Sequence, residues 1–322
     1  MENLVDNLKN AYSGKRVVVT GHNGFKGSWL SLWLEQLGAS VYGYSNREKT
    51  QPSMFEDLGI EKKINQFYGD IADRKSLLDA LKIVKPDFIF HLAAQPLVRY
   101  SYIDPLVTWN TNVQGTVNLL EACRHSTSVK AIVAVTTDKC YENKEEMHKA
   151  YHEHEPMGGH DPYSSSKACS ELVTAAYRKS FLANQGVAVA TARAGNVIGG
   201  GDLSKNRLMA DIVRAIKSDT KLTIRNKNST RPWQHVLDCL KGYYALIEYG
   251  IKTGNSSEWN FGPVVDPEFS VKKVTSLILE EFNAVATWGI QPGNHPKESQ
   301  VLLLNSDKAR ELLQWNEVLS TE

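Results

Sequence analysis

Six short runs rich in β-branched and aromatic residues punctuate the first 195 positions, at 16–20, 40–44, 64–68, 88–92, 131–136 and 187–193. Helix-like segments separate them, among them 25–37, 75–84, 108–124 and 162–181. A strand that is apolar on both sides must be covered on both sides. Strands joined through helices return parallel to one another. The alternation therefore predicts an α/β fold, a Rossmann-type doubly wound parallel sheet with helices on each face. After residue 195 the pattern gives way to Gly- and Asn-rich stretches at 199–202 and 226–230, then to a helical run at 233–249. The expected organisation is a dinucleotide-binding domain of residues 1–195 plus about 233–263, and a smaller C-terminal substrate-binding lobe of 196–232 plus 264–322.

Bulk properties narrow the function classes. A formal net charge of +1 gives no surface suited to nucleic acid or to an anionic membrane. No apolar run approaches the roughly 20 residues that span a bilayer. The polar start at 1–9 does not read as a secretory signal. Cys123, Cys140, Cys169 and Cys239 are scattered without a CxxC pair, so reduced thiols and a cytoplasmic location are expected.

Chemistry enters at Gly21-His22-Asn23-Gly24-Phe25-Lys26-Gly27, directly after the first strand and opening the first helix. There a glycine-rich turn brings backbone amides against a pyrophosphate at a helix N-terminus. A bare tight turn is the competing reading. The next strand ends in Tyr44-Ser45-Asn46-Arg47, with no carboxylate for a ribose diol. Arg47 suits a 2′-phosphate and equally a solvated position. Asp70 suits the adenine edge or a helix cap.

Tyr163 and Lys167 lie four apart on one helix face. A free tyrosine, with a pKa of about 10, is a poor base near neutrality. A neighbouring ammonium and a cationic nicotinamide favour the tyrosinate, which can then take a hydroxyl proton as hydride leaves the same carbon. As an isolated pattern the pair is ordinary helix surface. Thr136-Thr137-Asp138-Lys139 ends the fifth strand, where open α/β sheets place their active sites. Asp138 suits protonation of a leaving hydroxyl and Lys139 removal of a carbon-bound proton. A surface Asp-Lys pair in a turn is the alternative.

With these residues assembled, the chain resembles the extended short-chain dehydrogenase/reductase family over nearly its whole length. The landmarks are 21–27, His91-Leu92-Ala93-Ala94, Asn110-Thr111-Asn112 with Gly115-Thr116, the Tyr163/Lys167 pair and Arg193-Ala194-Gly195-Asn196-Val197. Segments 93–99, 137–141, 155–159, 195–202 and 231–236 resemble the nucleotide-sugar 4,6-dehydratases within it. Related dTDP-type enzymes carry Asp-Glu at positions 138 and 139, so Lys139 marks the CDP-type subgroup.

The resemblance implies NAD as cofactor and CDP-glucose as substrate, with internal hydride transfer from C4 to C6 in deoxysugar biosynthesis. Its catalytic set is Thr137, Asp138, Lys139, Tyr163 and Lys167. Cofactor contacts are implied for Gly21, Asn23, Gly24, Phe25, Lys26, Gly27, Asp70, Ile71, Leu92, Ala93, Ala94, Gln95, Thr111, Thr136, Tyr163 and Lys167. Substrate contacts are implied for Arg99, Asn196, Arg207, Arg225, Arg231 and His235. A homodimer through 108–124 and 162–181 is implied as well. Two departures from the family pattern are a Lys- and His-rich segment at 143–154 and a chain that stops soon after Trp315, an expected truncation of the lobe. His148, His152, His154 and His160 cluster in sequence, but the implied reaction needs no metal and 156–159 breaks any regular frame. No metal site is expected.

Overall fold

A computed structural model describes residues 8–47, 52–146, 149–264, 269–284, 288–290 and 299–319. Seven parallel strands form the central sheet: β1 (Arg16–Thr20), β2 (Ser40–Ser45), β3 (Asn65–Tyr68), β4 (Phe88–His91), β5 (Ala131–Val135), β6 (Ala188–Ala194) and β7 (Glu258–Phe261). Their spatial order is β7-β6-β5-β4-β1-β2-β3. The order reverses direction at β1 and β4, which opens a crevice at the strand carboxyl ends there.

The period-2 pattern of each strand feeds two cores. Val17, Val19, Phe88, Phe90, Ala131 and Val133 face one layer, where they meet Leu30, Leu34, Tyr244 and Trp259. Val18, Ile89 and Ile132 point the other way, onto Leu77, Leu81, Leu119 and Leu120. Burial of each such Val, Leu, Ile or Phe side chain contributes about 1.5–3 kcal/mol.

The covering helices carry readable start signals. Helix α1 (Phe25–Gln36) follows the glycine loop. Helix α2 (Arg74–Val84) is capped by Asp73, whose carboxylate accepts from the amides of Lys75 and Ser76, and it buries Leu77, Ala80, Leu81 and Val84 at helical spacing. Next come α3 (Val98–Ile103), α4 (Pro105–Trp109) and α5 (Gly115–Arg124). The expected single helix over 108–124 is instead interrupted by a π-helical turn at Asn110–Gln114. Helix α6 (Pro162–Tyr177) has Asp161 as N-cap, accepting from Ser164 N at 2.9 Å, and Pro162 at its first position.

Beyond β6 lie α7 (Leu208–Lys217), α8 (Val236–Thr253), α9 (Val271–Glu281) and α10 (Asp307–Leu313). Helix α8 packs in the first core, and a smaller cluster gathers Ile212, Leu222 and Ile224 with α9 residues. Among the described residues, no helix is long and apolar enough to cross a membrane.

Candidate active site

A trench of about 860 Å³ runs along the carboxyl edge of the sheet, between the glycine loop and residues that follow β6. That size lies toward the upper end of small-molecule sites, which run from about 300 to about 1,000 Å³. Gly21, Asn23, Gly24, Phe25, Lys26 and Gly27 form one end. Gly21 has φ of +72°, and a Cβ there would stand 2.8 Å from Ala93 N. A Cβ on Gly27 would stand 2.1 Å from Gly21 O, so only glycine lets this helix start so close to the strand. No side chain caps α1 and its first turn holds no acid. Its first amides, without a side-chain cap and beside three glycines, fit the pyrophosphate of a dinucleotide.

The rest of that half divides into wall and support. Asp70, Ile71, Leu92, Ala93, Ala94 and Thr111 line the trench. Asp70 Oδ1 accepts from Ala72 N at 2.9 Å and turns the chain before the true cap, Asp73. Arg47 lies with its guanidinium 5.3 Å from the Tyr68 ring centroid. Gln95 is not on the wall. It is buried, its amide donating to Thr108 Oγ1 at 2.9 Å and its Oε1 accepting from Leu97 N, so it shapes the loop instead.

Tyr163 and Lys167 project from α6 into the same trench. Burial pushes the Tyr163 hydroxyl up to about 12, against the opposing pull of Arg207 and of a hydrogen bond with Thr137. A second cation, Arg207 at the start of α7, thus acts on the tyrosine in addition to the expected neighbours. Burial and the charge of Lys26 bring Lys167 down to about 8, and its Nζ donates to Val135 O at 3.2 Å.

The strand-end tetrapeptide is no surface turn. Asp138 is fully buried behind Thr137 and Lys139, which line the trench. Asp138 Oδ1 accepts from Thr137 Oγ1 at 2.9 Å and from Lys139 Nζ at 3.4 Å. Its Oδ2 has no partner among the described residues. The Lys139 side chain is about a quarter exposed, at 26%, so its amine reaches from the buried acid toward the cavity. Thr136, also on the wall, donates its hydroxyl to Glu171 Oε1.

Cations concentrate at the other end. Arg99, Arg207, Arg225 and Arg231 line the trench with Asn196. Arg207 Nη2 donates to Pro96 O at 3.3 Å, tying the residue before α7 to the loop after β4. Arg231 donates to the carbonyls of Thr230, Ser299 and Gln300. His235 is not among the lining residues; its Nδ1 accepts from Leu237 N at 3.2 Å and caps α8. Asp161 and Asp211 also reach the trench. Asp161 was readable as the cap before Pro162. Asp211, paired with Arg214 on α7, gave no comparable signal.

His148 lies outside the described residues, while His152 and His154 stack on each other at 5.5 Å. No group of three potential metal ligands occurs among the described residues. Trp29 packs at the trench rim, its Nε1 donating to Gly200 O at 2.9 Å, and Trp33 packs edge-on against Tyr244.

This fold and site can be set beside known proteins. The family profile described as GDP-mannose 4,6 dehydratase matches residues 18–322. The chain is 46% identical over 315 residues to the CDP-glucose 4,6-dehydratase of Salmonella typhimurium, covering 96% of this chain and 88% of that one. Among solved structures, an epimerase of Methanothermobacter thermautotrophicus superposes with a TM-score of 0.87 at 25% identity, covering 98% of this chain and 91% of that one. The dTDP-glucose 4,6-dehydratase of Streptomyces venezuelae, solved with NAD and TYD bound, gives 0.79 at 24% identity over 95% and 92% of the two chains. The chain belongs to the GDP-mannose 4,6 dehydratase family, nucleotide-sugar dehydratases with the extended short-chain dehydrogenase/reductase fold.

Proposed function

We propose that the protein converts CDP-D-glucose to CDP-4-dehydro-6-deoxy-D-glucose and water, with NAD held in the glycine-lined half of the trench. The name of the 46% identical relative supports the substrate. The observation that carries the reading beyond oxidation is Lys139 on the wall of the trench that also receives Tyr163, backed by the buried Asp138. A plain dehydrogenase or a 4-epimerase has no use for that second acid–base pair.

NAD, when bound, would supply the hydride acceptor for oxidation at C4 and the hydride donor for reduction at C6. Thr137 aligns the C4 hydroxyl, and Tyr163 removes its proton. The resulting 4-keto group acidifies C5. Lys139 takes the C5 proton, and Asp138 protonates the C6 hydroxyl as it leaves as water; as hydride is restored at C6, the Lys139 ammonium, after exchange with solvent, returns a proton to C5. Lys167 holds the nicotinamide ribose. Arg99, Arg207, Arg225, Arg231 and Asn196 receive the diphosphate end, where guanidinium groups match phosphate oxygens.

The test is incubation with CDP-glucose in heavy water, followed by NMR. A 4-keto-6-deoxy product with solvent deuterium at C5 is the expected result. A 4-epimer free of solvent label would make the protein an epimerase, and no change would sink the reading.

The same reading makes the enzyme a cytoplasmic homodimer. Ile103 and Leu106, each 79% exposed, stand with Tyr102 and Val107 on α3 and α4, and Leu172 is 60% exposed on α6. Apolar groups left in water on adjacent helices favour a second copy. The double variant Ile103→Glu/Leu106→Glu is expected to sediment as a monomer; an unchanged sedimentation coefficient would place the interface elsewhere.

A further inference from the structure

One buried ion pair sits behind the acid–base segment. Arg193, near the end of β6 and fully buried, places Nη2 2.9 Å from Glu171 Oε2. Glu171 stands on α6 one helical step beyond Lys167 and two beyond Tyr163, so the three share a face. Its Oε1 accepts from the Thr136 hydroxyl, and its Oε2 also accepts from Thr191 Oγ1 at 2.7 Å. Arg193 Nη1 donates to Tyr141 OH at 2.9 Å, with the guanidinium 5.1 Å from that ring's centroid. Tyr141 OH donates in turn to Asn260 Oδ1 at 2.7 Å. Thr136 and Tyr141 flank the segment Thr137-Asp138-Lys139-Cys140. The pair therefore grips both ends of the segment that carries the acid and the amine, and fastens it to the helix that carries Tyr163 and Lys167.

Such a pair is a weak source of stability. Desolvating two charges costs about as much as their attraction returns, and apolar replacements often do as well. Geometry gives it a clearer use. We propose that Glu171 and Arg193 are positioning residues for the elimination, holding Asp138 and Lys139 in register with Tyr163 so that C5 and C6 are addressed in the pose in which C4 is oxidised. This rests on the dehydratase reading. Neither residue lines the trench, so each acts through Thr136 and Tyr141. Misplacement of a catalytic group by about 1 Å costs on the order of a hundredfold, so small shifts at the clamp suffice.

The test is Glu171→Gln, which keeps the shape and removes the charge. With CDP-glucose, C4 oxidation is read from the absorbance of reduced nicotinamide and elimination from the 4-keto-6-deoxy product. Assayed at about pH 6, where Lys167 stays charged even without the Glu171 carboxylate, the variant is expected to slow elimination at least about tenfold while C4 oxidation falls less than about threefold, so that reduced cofactor accumulates. Equal losses in both steps would overturn the proposal, because a merely structural pair lowers both together. Thr191→Val removes a Glu171 bond that does not lead to the clamped segment; it should lower the melting temperature and leave the ratio of the two steps unchanged. If Glu171→Gln does not fold, Tyr141→Phe decides, since it deletes only the hydroxyl between Arg193 and Asn260. A shift of the ratio toward oxidised, uneliminated substrate supports the proposal, and an unchanged ratio overturns it. A wild-type protein that yields no deoxysugar defeats the dehydratase reading instead, a result visible before any variant is made.

Discussion

Replacing Lys139 with Met is expected to leave a protein that oxidises C4 of the sugar and stops there. Met fills nearly the same volume and removes only the amine. Tyr163, Lys167 and the glycine cradle do not depend on that amine. Loss of a positioned base typically costs about 10²–10⁴-fold in the step it serves. Deuterium uptake at C5 should therefore fall by that factor while reduced nicotinamide still forms. The carboxylate of Asp138 has no exposure and, among the described residues, its Oδ1 has only Thr137 and Lys139 as partners, so the variant should also melt at a lower temperature. Lys139→Arg separates the two effects: it restores a cation beside Asp138 without a usable base at neutral pH. Recovery of stability without recovery of C5 exchange is the expected pattern. If Lys139→Met loses C4 oxidation to the same extent as exchange, the lysine is not the C5 base.

Much of this architecture was legible because its signals are local. A strand covered on both faces shows as a run such as Phe88-Ile89-Phe90, and Asp73 and Asp161 announce α2 and α6 by their caps. The glycine loop was readable because a Cβ at position 27 has nowhere to go. What escaped the sequence depends on distance along the chain. Strand β7 reads Glu-Trp-Asn-Phe, too short and too polar to count, yet it adds to β6 because Asn260 is held there by Tyr141 and by the Tyr151 carbonyl. The break at Asn110–Gln114 comes from a side-chain lattice in which Asn112 bonds Gln95 and Ser166, contacts no helical periodicity reveals. The approach of Arg207 to Tyr163 escaped for the same reason. Spacing puts Lys167 one turn away, where its amine donates to the Val135 carbonyl, while folding brings Arg207 across from 44 residues further along the chain.

Tyr163→Phe is expected to abolish C4 oxidation, by about 10²–10⁴-fold, and with it every later step, because the 4-keto group is what acidifies C5. No deuterium should then appear at C5, although Lys139 is intact. This reverses the Lys139→Met pattern, and the two variants together order the steps.

The pH dependence follows from the neighbours of the tyrosine. Tyr163, held at about 12 by burial even with Arg207 and Thr137 pulling it down, is a phenol at neutral pH and needs further positive charge to give up its proton. Lys167, which lines the same trench and is assigned to the nicotinamide ribose, adds positive charge there only as an ammonium. Burial and Lys26 both disfavour the ammonium, which brings the group from its ordinary range down to about 8, while Glu171 opposes them. The charged form is thus present below about pH 8 and is lost as pH rises through it. C4 oxidation should accordingly fall from about pH 7 to about pH 9, where an isolated lysine would stay charged. Lys26→Met removes one of the two opposing influences, so the descending limb should move to higher pH. A limb that stays in place in that variant would show that Lys167 does not set it.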